Sequence, residues 1–401
     1  MAKEIIAAPG VYETAESRGS AHGVKVGNVL YSTGIVAKDI KGDLVGKGDI
    51  KAQARQVYEN LGLVLEAAGA TWNDVVKYNA YLASADYRQA AREVHYQYVP
   101  YYQRAGATIV TPLASLDLLI EVDLIAYIQT PKHCITNVPN VFVPVGSPYA
   151  VKVKDMIYVT GQQPIAGGQP PLKQGQVGMA AAHEQKVIGK GDIVAQTEAV
   201  YHNLDNILQA SGATWSDVVW AHHYMTGDYI NTVRDVRYRF MPKDKIAMTG
   251  FVCGLVGPEW MIETELIAHL GPKQAFTVPG VAVSPGVAHA VKAGNTIYIQ
   301  GQVAHEAHEG LVVGAGDIVA QAKFVHQALD KIIKGVGARW EEVVRVKSYL
   351  KRQEDILAIR PIRHQYLAKG TYTSTAVVAG FFNPDFLLEV ELVLVQDQPR
   401  P

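Results

Sequence analysis

A glutamate recurs three times in apolar surroundings that could give it acid–base chemistry. Glu121, Glu263 and Glu389 stand in the segments LLIEVDLIAYI, MIETELIAHL and LLEVELVLV. Desolvation on an apolar strand raises the pKa of a carboxyl group, which suits a general acid or base that works near neutral pH. We predict that these three glutamates are catalytic. The structural alternative is an ion pair at a domain seam, since paired carboxylates also titrate abnormally without catalysing anything.

Each glutamate is followed two positions later by a second carboxylate, which alternation places on the same face of a strand. The second carboxylates are Asp123, Glu265 and Glu391. Equivalent places on a middle strand hold three further polar residues, Asn79, His222 and Lys347. We expect these polar groups to satisfy one another in the interior, because buried polar atoms require hydrogen-bond partners.

The glutamates belong to three copies of one domain-sized unit. The stem GDIKAQARQVYENLGLVLEAAGATWNDVV returns as GDIVAQTEAVYHNLDNILQASGATWSDVV and as GDIVAQAKFVHQALDKIIKGVGARWEEVV. Trp72, Trp215 and Trp340 keep nearly the same spacing as the glutamates. An interval of this length is a small domain and not a solenoid repeat. We predict domains at residues 1–130, 131–271 and 272–401.

The hydrophobic periodicity changes in the same order within each copy. A strand closing on glycine precedes an amphipathic helix, a second strand, a more polar helix and a final apolar strand. The order β-β-α-β-α-β predicts an α+β fold with the helices on one face of the sheet. The bare faces of three such sheets would be buried around a pseudo-threefold axis, as a central barrel.

The joint order of these segments resembles the Rid family, also called YjgF or L-PSP, over nearly all of the 401 residues. The segments that carry the resemblance are VKVGN, GDI-AQ, LEAAGAT, DVV and the final IE-E-IA pattern. The resemblance implies a chorismate-mutase-like fold and small-molecule clefts between the copies. One chain would then correspond to a homotrimer of separate subunits. It also implies hydrolysis of reactive enamines or imines without a cofactor.

Deaminating members of that family hold the substrate carboxylate with an arginine near the start of the penultimate strand. Here Ala107, Met248 and Ser374 match that place, within about one position, and none is an arginine. This difference argues against the family's commonest reaction, the deamination of an α-imino acid.

Other positions match the resemblance and are predicted to bind substrate. A glycine closes the first strand of each copy, and neighbouring polar side chains could donate hydrogen bonds. This group comprises Gly34, Gly161, Gly301, Thr160, Gln162 and Gln302. An arginine that recurs on the polar helix is also predicted to bind substrate. The alternative is that it forms a salt bridge on the surface. The three copies have Arg92, Arg234 and Arg360 there. The three copies have His22, Tyr149 and His289 just before the first strand. These residues could act as acids or bases in the pocket, or they could fill space and form structural hydrogen bonds only.

The second copy carries an insertion at about residues 165–182, which predicts either a lid or a surface loop. The third copy contains His305 and His308 with Glu306 and Glu309 nearby, but no further ligand motif accompanies them. We predict no metal site and no cofactor.

The composition narrows the classes of partner. Basic and acidic residues number 37 and 38, which gives no support to a nucleic-acid or anionic-membrane partner. The N-terminus has no secretory pattern and no stretch would span a bilayer, so we expect a cytoplasmic protein. The two cysteines, Cys134 and Cys253, occupy non-equivalent places and predict free thiols.

These observations favour a cofactor-independent enzyme that acts on an unsaturated, imine, enamine or cyclic metabolite in a cleft between domains. Hydrolysis, deamination and proton-transfer rearrangement all remain open. A non-catalytic ligand-binding or scaffold protein is the first alternative, and an endoribonuclease is the second. We expect one chain to form a monomeric pseudo-trimer, with further homo-oligomerisation left open.

Overall fold

The strands of this protein form three sheets that follow the three sequence copies. The computed structural model describes residues 2–12, 19–142, 146–167, 186–307 and 311–396. In each copy the long helices pack on one face of their own sheet and close a separate hydrophobic core. The α+β class and the tandem arrangement are therefore confirmed.

The elements recur in the same order in each copy. The first copy contains β1 (Lys3–Ile6), β2 (Gly23–Val26), β3 (Val29–Ser32), β4 (Ile35–Val36), α1 (Ile50–Ala67), β5 (Val75–Leu82), α2 (Arg88–Tyr98), β6 (Ala105–Val110) and β7 (Ile120–Tyr127). The second contains β8 (Lys132–Ile135), β9 (Ala150–Val153), β10 (Met156–Gln162), α3 (Ile193–Ala210), β11 (Val218–Met225), α4 (Ile230–Arg237), β12 (Ala247–Val252), β13 (Gly254–Leu255) and β14 (Ile262–His269). The third contains β15 (Lys273–Phe276), β16 (Ala290–Ala293), β17 (Thr296–Val303), α5 (Ile318–Gly335), β18 (Val343–Leu350), α6 (Asp355–Ala358), α7 (Arg360–Arg363), β19 (Thr373–Val378) and β20 (Leu388–Val395).

The sheets have more strands than the sequence pattern predicts. The second and third sheets have six strands each, and the second runs in the order β12-β11-β14-β10-β9-β8. The first sheet has eight, because β4 pairs with β7 and β13 of the second copy pairs with β6. Every sheet begins with a four-residue N-terminal strand, which is too short to show alternation, and its penultimate strand pairs in parallel with the middle strand.

Two repeated polar residues fix the long helix against its sheet. The Asp49 carboxylate caps the N-terminus of α1 by accepting hydrogen bonds from the backbone N–H groups of Lys51 and Ala52, and Asp192 and Asp317 cap their helices in the same way. A fully buried glutamine one turn later joins two loops. Its side chain donates to one carbonyl in each of two loops and accepts from a backbone N–H; the three copies are Gln53, Gln196 and Gln321.

The three copies contact one another through equivalent backbone atoms, in a cycle. Gly254 of the second copy pairs with Val110 of the first, and Gly380 of the third pairs with Val252 of the second. The cycle returns to the first copy, because the Val378 N–H donates to the carbonyl of Pro112. The three copies thus meet around a common axis. Closure of their sheets into one continuous barrel stays a prediction.

Buried polar contacts also join each copy to the next. Lys77 Nζ lies 2.5 Å from Glu265 Oε2 across the contact of copies 1 and 2. His222 Nε2 lies 2.7 Å from Glu391 Oε2 across the contact of copies 2 and 3. Between copies 3 and 1, Asp123 pairs with Arg345 and, at 3.4 Å, with Lys347.

The buried carboxylates remain ionised because of these partners. Burial alone would raise the pKa of Asp123, but Arg345 and Lys347 hold that pKa below its ordinary value. Burial likewise opposes ionisation of Glu265, yet Lys77 and His222 keep its pKa well below the ordinary value. The expected polar interior therefore includes ion pairs and hydrogen bonds between copies.

Among the described residues, no helix combines the length and the apolar composition that a bilayer crossing demands.

We predict that the chain is a monomer in solution and behaves as one unit. The cyclic contacts give each copy two neighbours within the same chain, so no second chain is needed to complete them. Light scattering should give the mass of one chain. Limited proteolysis should nick loops and leave the fragments associated under native conditions. Release of three non-associating domains would contradict the prediction.

Replacing Lys77 by methionine should lower the free energy of unfolding by about 3–5 kcal/mol, because it leaves the Glu265 carboxylate buried without its closest cation. Lys25→Met is the matched control, since Lys25 pairs with the exposed Glu4 on the surface and should cost about 1 kcal/mol or less. Chemical denaturation measures both. Equal losses in the free energy of unfolding would show that the buried pair stabilises the protein no more than the exposed pair does.

Candidate functional site

Each of the three repeated glutamates lies where two copies meet. Glu263 lines a cavity between copies 1 and 2, hereafter the 1–2 cleft. Glu121 lines a cavity between copies 3 and 1, the 3–1 cleft. Glu389 lies against Gly301, whose N–H donates to Thr249 Oγ1 of the second copy at 3.0 Å, and this place is the 2–3 cleft. All three carboxyl groups are buried.

The repeated glycine makes room for the glutamate of its own copy. A methyl group added to Gly34, Gly161 or Gly301 would overlap the carboxyl oxygen of the glutamate beside it. Any larger side chain at these positions would therefore displace the carboxyl group. The contact of these glycines with a ligand stays a prediction, and Gly34 lines the 3–1 cleft.

Glu263 is the glutamate whose environment is best defined. Its side chain is 1% exposed, and Oε2 has no hydrogen-bond partner among the described residues. Burial and the neighbouring Glu265 charge raise its pKa to about 8, although Gln163 and Arg88 oppose the shift. The carboxyl group is therefore mostly protonated at neutral pH, and it can donate a proton or a hydrogen bond into the cleft.

Burial also raises the pKa of Glu389 well above its ordinary value, with the Glu391 charge adding to the effect. The pKa values of the glutamates in the 1–2 and 2–3 clefts are therefore shifted in the same direction.

Three arginines of the first copy line the 1–2 cleft, which has a cavity volume of about 90 Å³. They are Arg88 and Arg92, one turn apart on α2, and Arg104 just before β6. Burial lowers the pKa of Arg88, and the neighbouring Arg92 charge lowers it further. Positive charge concentrated in a partly desolvated cleft favours binding of an anion.

Arg104 is held rigidly in this cleft. Its Nε–H donates to His95 Nε2 at 2.9 Å, and one terminal nitrogen donates to Ser147 Oγ of the second copy at 3.1 Å. Burial and Arg104 keep the pKa of His95 well below its ordinary value, so the ring is neutral and able to accept. Arg104 also lies 4.5 Å from the centre of the Tyr78 ring.

The strand position that carries arginine in deaminating relatives has none here, as the sequence predicts. Pairing with the middle strand puts Met248 and Ser374 at equivalent places and shows that the first copy has Gly106 there, one residue from the predicted Ala107. The cleft arginines come from other positions. Arg104 enters beside β6, whereas Arg237 and Arg363 come from the polar helices.

These three arginines are not among the residues predicted from the sequence. Arg237 and Arg363 follow the predicted Arg234 and Arg360 by one turn, and their recurrence in two copies was a signal that could have revealed them. Arg104 has no such signal, because its counterparts are Ile246 and Tyr372.

The 3–1 cleft is the larger, with a cavity volume of about 570 Å³. Arg360 and Arg363 of the third copy line it together with Glu121 of the first. The two terminal nitrogens of Arg363 donate to Ser374 Oγ at 2.9 Å and to Ser348 Oγ at 3.1 Å, and its Nε has no partner among the described residues.

In the 2–3 cleft the equivalent guanidinium, that of Arg237, donates hydrogen bonds to other groups of the protein. Arg237 donates to Met248 Sδ at 2.9 Å and to the carbonyl of Pro285 at 2.7 Å. Arg234 lies one turn earlier on α4 and is half-buried. The three clefts thus offer three different arginine environments.

The residues before the first strand anchor loops. His22 Nδ1 accepts from the Ala8 N–H at 3.0 Å and its Nε2 meets the Tyr12 carbonyl at 3.3 Å. His289 holds its own loop through Val278 and Ala282 in the same way, and Tyr149 donates to the carbonyl of Val141. These contacts fit a hydrogen-bonding filler better than a pocket acid or base.

Of the predicted hydrogen-bonding residues, Thr160 lines the 1–2 cleft, although its hydroxyl already donates to the carbonyl of Pro148 at 2.6 Å. The Gln162 and Gln302 amides donate to carbonyls of their own strands. Gln163, which the sequence analysis did not single out, lines the cleft and hydrogen-bonds Glu263.

Most of the insertion predicted at about 165–182 lies outside the described residues, as do His308 and Glu309. Within the described ranges, no group of three possible metal ligands is found.

Comparison with known proteins gives consistent matches. The family model described as Endoribonuclease L-PSP matches residues 14–128, 145–270 and 282–396. The RutC family protein PH0854 of Pyrococcus horikoshii is 38% identical over 104 residues, which are 26% of this chain and 82% of that protein. The RutC family protein SSO3206 of Saccharolobus solfataricus is 38% identical over 107 residues, which are 26% of this chain and 84% of that protein.

A solved chorismatase structure aligns with most of the chain. It is 12% identical, covers 80% of this chain and 93% of that one, and gives a TM-score of 0.54. At this identity the likeness concerns the fold alone.

The raised pKa of Glu263 predicts a pH-dependent stability. The folded state binds this proton more tightly than the unfolded state, so the group's contribution to the free energy of unfolding is fully present below about 4.5 and is lost as the pH rises to about 8. Glu263→Gln should therefore gain stability relative to the wild type as the pH rises through this window.

Thermal unfolding at several pH values measures the effect. Glu66→Gln, which removes an exposed carboxyl group from α1, is the control for loss of a charge. A stability difference between Glu263→Gln and wild type that stays constant from pH 4.5 to 8 would contradict the buried neutral acid.

Proposed function

The chain belongs to the Endoribonuclease L-PSP family, also called Rid or YjgF, and on that basis we propose that it is a cofactor-independent enzyme acting on a small unsaturated anion. The substrate class is an imine, enamine or cyclic metabolite, and the reaction is hydrolysis, deamination or a proton-transfer rearrangement. The catalytic centre is the 1–2 cleft. The single observation that carries the proposal is the buried carboxyl group of Glu263 beside the arginines of the first copy, with no hydrogen-bond partner for Oε2 among the described residues.

Glu263 supports the proposal because its pKa of about 8 suits a general acid at neutral pH. A structural carboxylate in an ion pair would be expected to have a lowered pKa, as Asp123 and Glu265 do. Glu263 lies on the same strand as Glu265, but it faces the cavity and titrates in the opposite direction.

The arginines support an anionic substrate. Arg88 and Arg92 line the cavity, and their charge favours an anion. Arg104 adds a third charge at the same cavity, although His95 and Ser147 already contact its three nitrogens. A planar carboxylate matches a guanidinium in a bidentate manner. In this proposal the cleft arginines take the place of the strand arginine that this chain lacks.

Hydrolysis of an imino acid balances without a cofactor. Glu263 protonates the imine nitrogen, and a water molecule adds to the carbon of the C=N bond. The proton lost by that water returns to the Glu263 carboxylate. Glu263 then gives that proton to the amino group of the carbinolamine. The hydroxyl proton returns to Glu263 as the C–N bond breaks, and ammonia and a keto acid are released. In this scheme the arginines hold the substrate carboxylate throughout.

A non-catalytic ligand-binding or scaffold protein is the main alternative, since the clefts alone would serve it. The family description names an endoribonuclease, but the balanced charge of this chain gives less support to an RNA substrate. We also propose that the protein acts on this small metabolite in the cytoplasm.

Glu263→Gln should lower turnover about a hundredfold or more while leaving the fold intact, because a positioned proton donor typically supplies at least that factor. Imino acids generated in situ by an amino-acid oxidase are suitable substrates, with ammonia and keto acid as the measured products. Glu121→Gln and Glu389→Gln are the matched controls and should retain most of the activity.

The pH dependence of kcat tests whether the Glu263 carboxyl group acts as an acid. If Glu263 acts as an acid, kcat should fall as the pH rises through about 8. Full activity in all three glutamine variants, or cleavage of RNA by the wild type with no imine hydrolysis, would overturn the proposed function.

A further inference from the structure

A small cavity lies where the three copies meet, and we call it the axial cavity. Its volume is about 20 Å³, and buried side chains of every copy line it, among them Tyr31, Trp220 and Tyr298. Within the described ranges, it shares no lining residue with the 1–2 cleft or the 3–1 cleft. A space of this volume holds one particle of about the size of a water molecule.

The axial cavity lies at one level of the three middle strands. The third residues of β5, β11 and β18 line it, and they are Lys77, Trp220 and Arg345. Each is opposite a residue of the final strand that also lines the cavity, namely Ile125, Ile267 and Val393. The threefold arrangement thus forms the cavity, and two copies place a cation where the second has an aromatic ring.

Cationic side chains predominate around the axial cavity. Three cations and one carboxylate belong to its described lining, namely Lys77, Arg345, Lys347 and Glu391. Both oxygens of Glu391 already have partners, since His222 Nε2 lies 2.7 Å from Oε2 and the Tyr349 hydroxyl donates to Oε1 at 3.2 Å. A cavity with more positive than negative side chains favours an anion over a cation.

Some hydrogen-bond donors of these cations have no acceptor. One terminal nitrogen of Arg345 donates to Asp123, but its Nε is buried without a hydrogen-bond partner among the described residues. Lys77 Nζ carries three N–H groups and makes one described hydrogen bond, to Glu265 Oε2 at 2.5 Å. Neither Asp123 nor Glu265 belongs to the described lining. Because a buried donor without a partner is costly, an acceptor in the axial cavity would stabilise the fold.

We propose that the axial cavity binds one halide ion, such as chloride. A halide is a single atom that carries a full negative charge and accepts several N–H donors, whereas the cavity is too small for a metabolite carboxylate. The ion bridges Lys77 of the first copy to Arg345 of the third and so helps to hold these copies together. This inference does not rest on the proposed function, because Glu263 is not part of the described lining.

Bromide is the probe that locates the site. Crystals of the full chain soaked in sodium bromide should give an anomalous diffraction peak in the axial cavity, in contact with Arg345 and Lys77. Crystals soaked in sodium gluconate, whose anion is too large for the cavity, should give no anomalous peak there.

Chloride should also stabilise the full chain in a saturable manner, because an ion that binds only the folded state raises the free energy of unfolding. Thermal unfolding is measured while chloride replaces gluconate at constant ionic strength, so that general screening of charges does not change. The dependence on chloride concentration gives an apparent Kd.

Arg345→Lys keeps a positive charge beside Asp123 but removes the Nε–H donor, and it should raise the apparent Kd for chloride about tenfold or more. Arg352→Lys is the matched control. Arg352 lies on the surface, where its Nε–H donates to Asp355 at 2.8 Å, so its replacement should leave the Kd unchanged. Bromide diffraction from the wild type tests the site even if Arg345→Lys fails to fold.

Three results would overturn the inference. The first is bromide at surface positions alone, which would indicate an adventitious ion only. The second is equal stability in chloride and in gluconate, and the third is an unchanged Kd in Arg345→Lys. Glu263→Gln should bind chloride as the wild type does, so loss or retention of imine hydrolysis in that variant tests the proposed function separately.

Discussion

The rest of this structure depends on polar contacts that are buried where the three copies meet. Each contact joins side chains of neighbouring copies: Lys77 with Glu265, His222 with Glu391, and Arg345 with Asp123. A buried charge that loses its partner is strongly destabilising. The copies must therefore stay together in one cyclic order, and that order brings each glutamate into a cleft lined by the next copy.

The same strands supply both the structural and the reactive carboxyl groups. Glu263 and Glu265 are two residues apart, and their pKa values move in opposite directions because only Glu265 meets a cation at close range. The ionised Glu265 in turn helps to raise the pKa of Glu263. The ion pair that holds copies 1 and 2 together thus also tunes the proposed acid of the 1–2 cleft.

Fusion of three copies lets the clefts differ. In a homotrimer a substitution would appear in every cleft, whereas here each cleft combines residues of a different pair of copies. The guanidinium is fixed by His95 and Ser147 in the 1–2 cleft, by Met248 and Pro285 in the 2–3 cleft, and by two serines with one donor unpaired in the 3–1 cleft. Each cleft therefore has its own set of groups around the guanidinium.

The sequence by itself determined the three copies, the α+β class, the repeated glutamates and the absence of the strand arginine, because periodicity and internal repetition are local properties that survive in one dimension. It did not reveal the short first strands, which are too brief to show a period. The tertiary structure alone decided that Arg104, Arg237 and Arg363 enter the clefts, since they approach from different elements and Arg104 has no equivalent in the other copies. It also decided that Gly34, Gly161 and Gly301 face the glutamates, and that the titrations of Glu263 and Glu265 diverge. Burial and the distance to a charge on another copy set these properties, and neither quantity can be calculated before the copies are assembled.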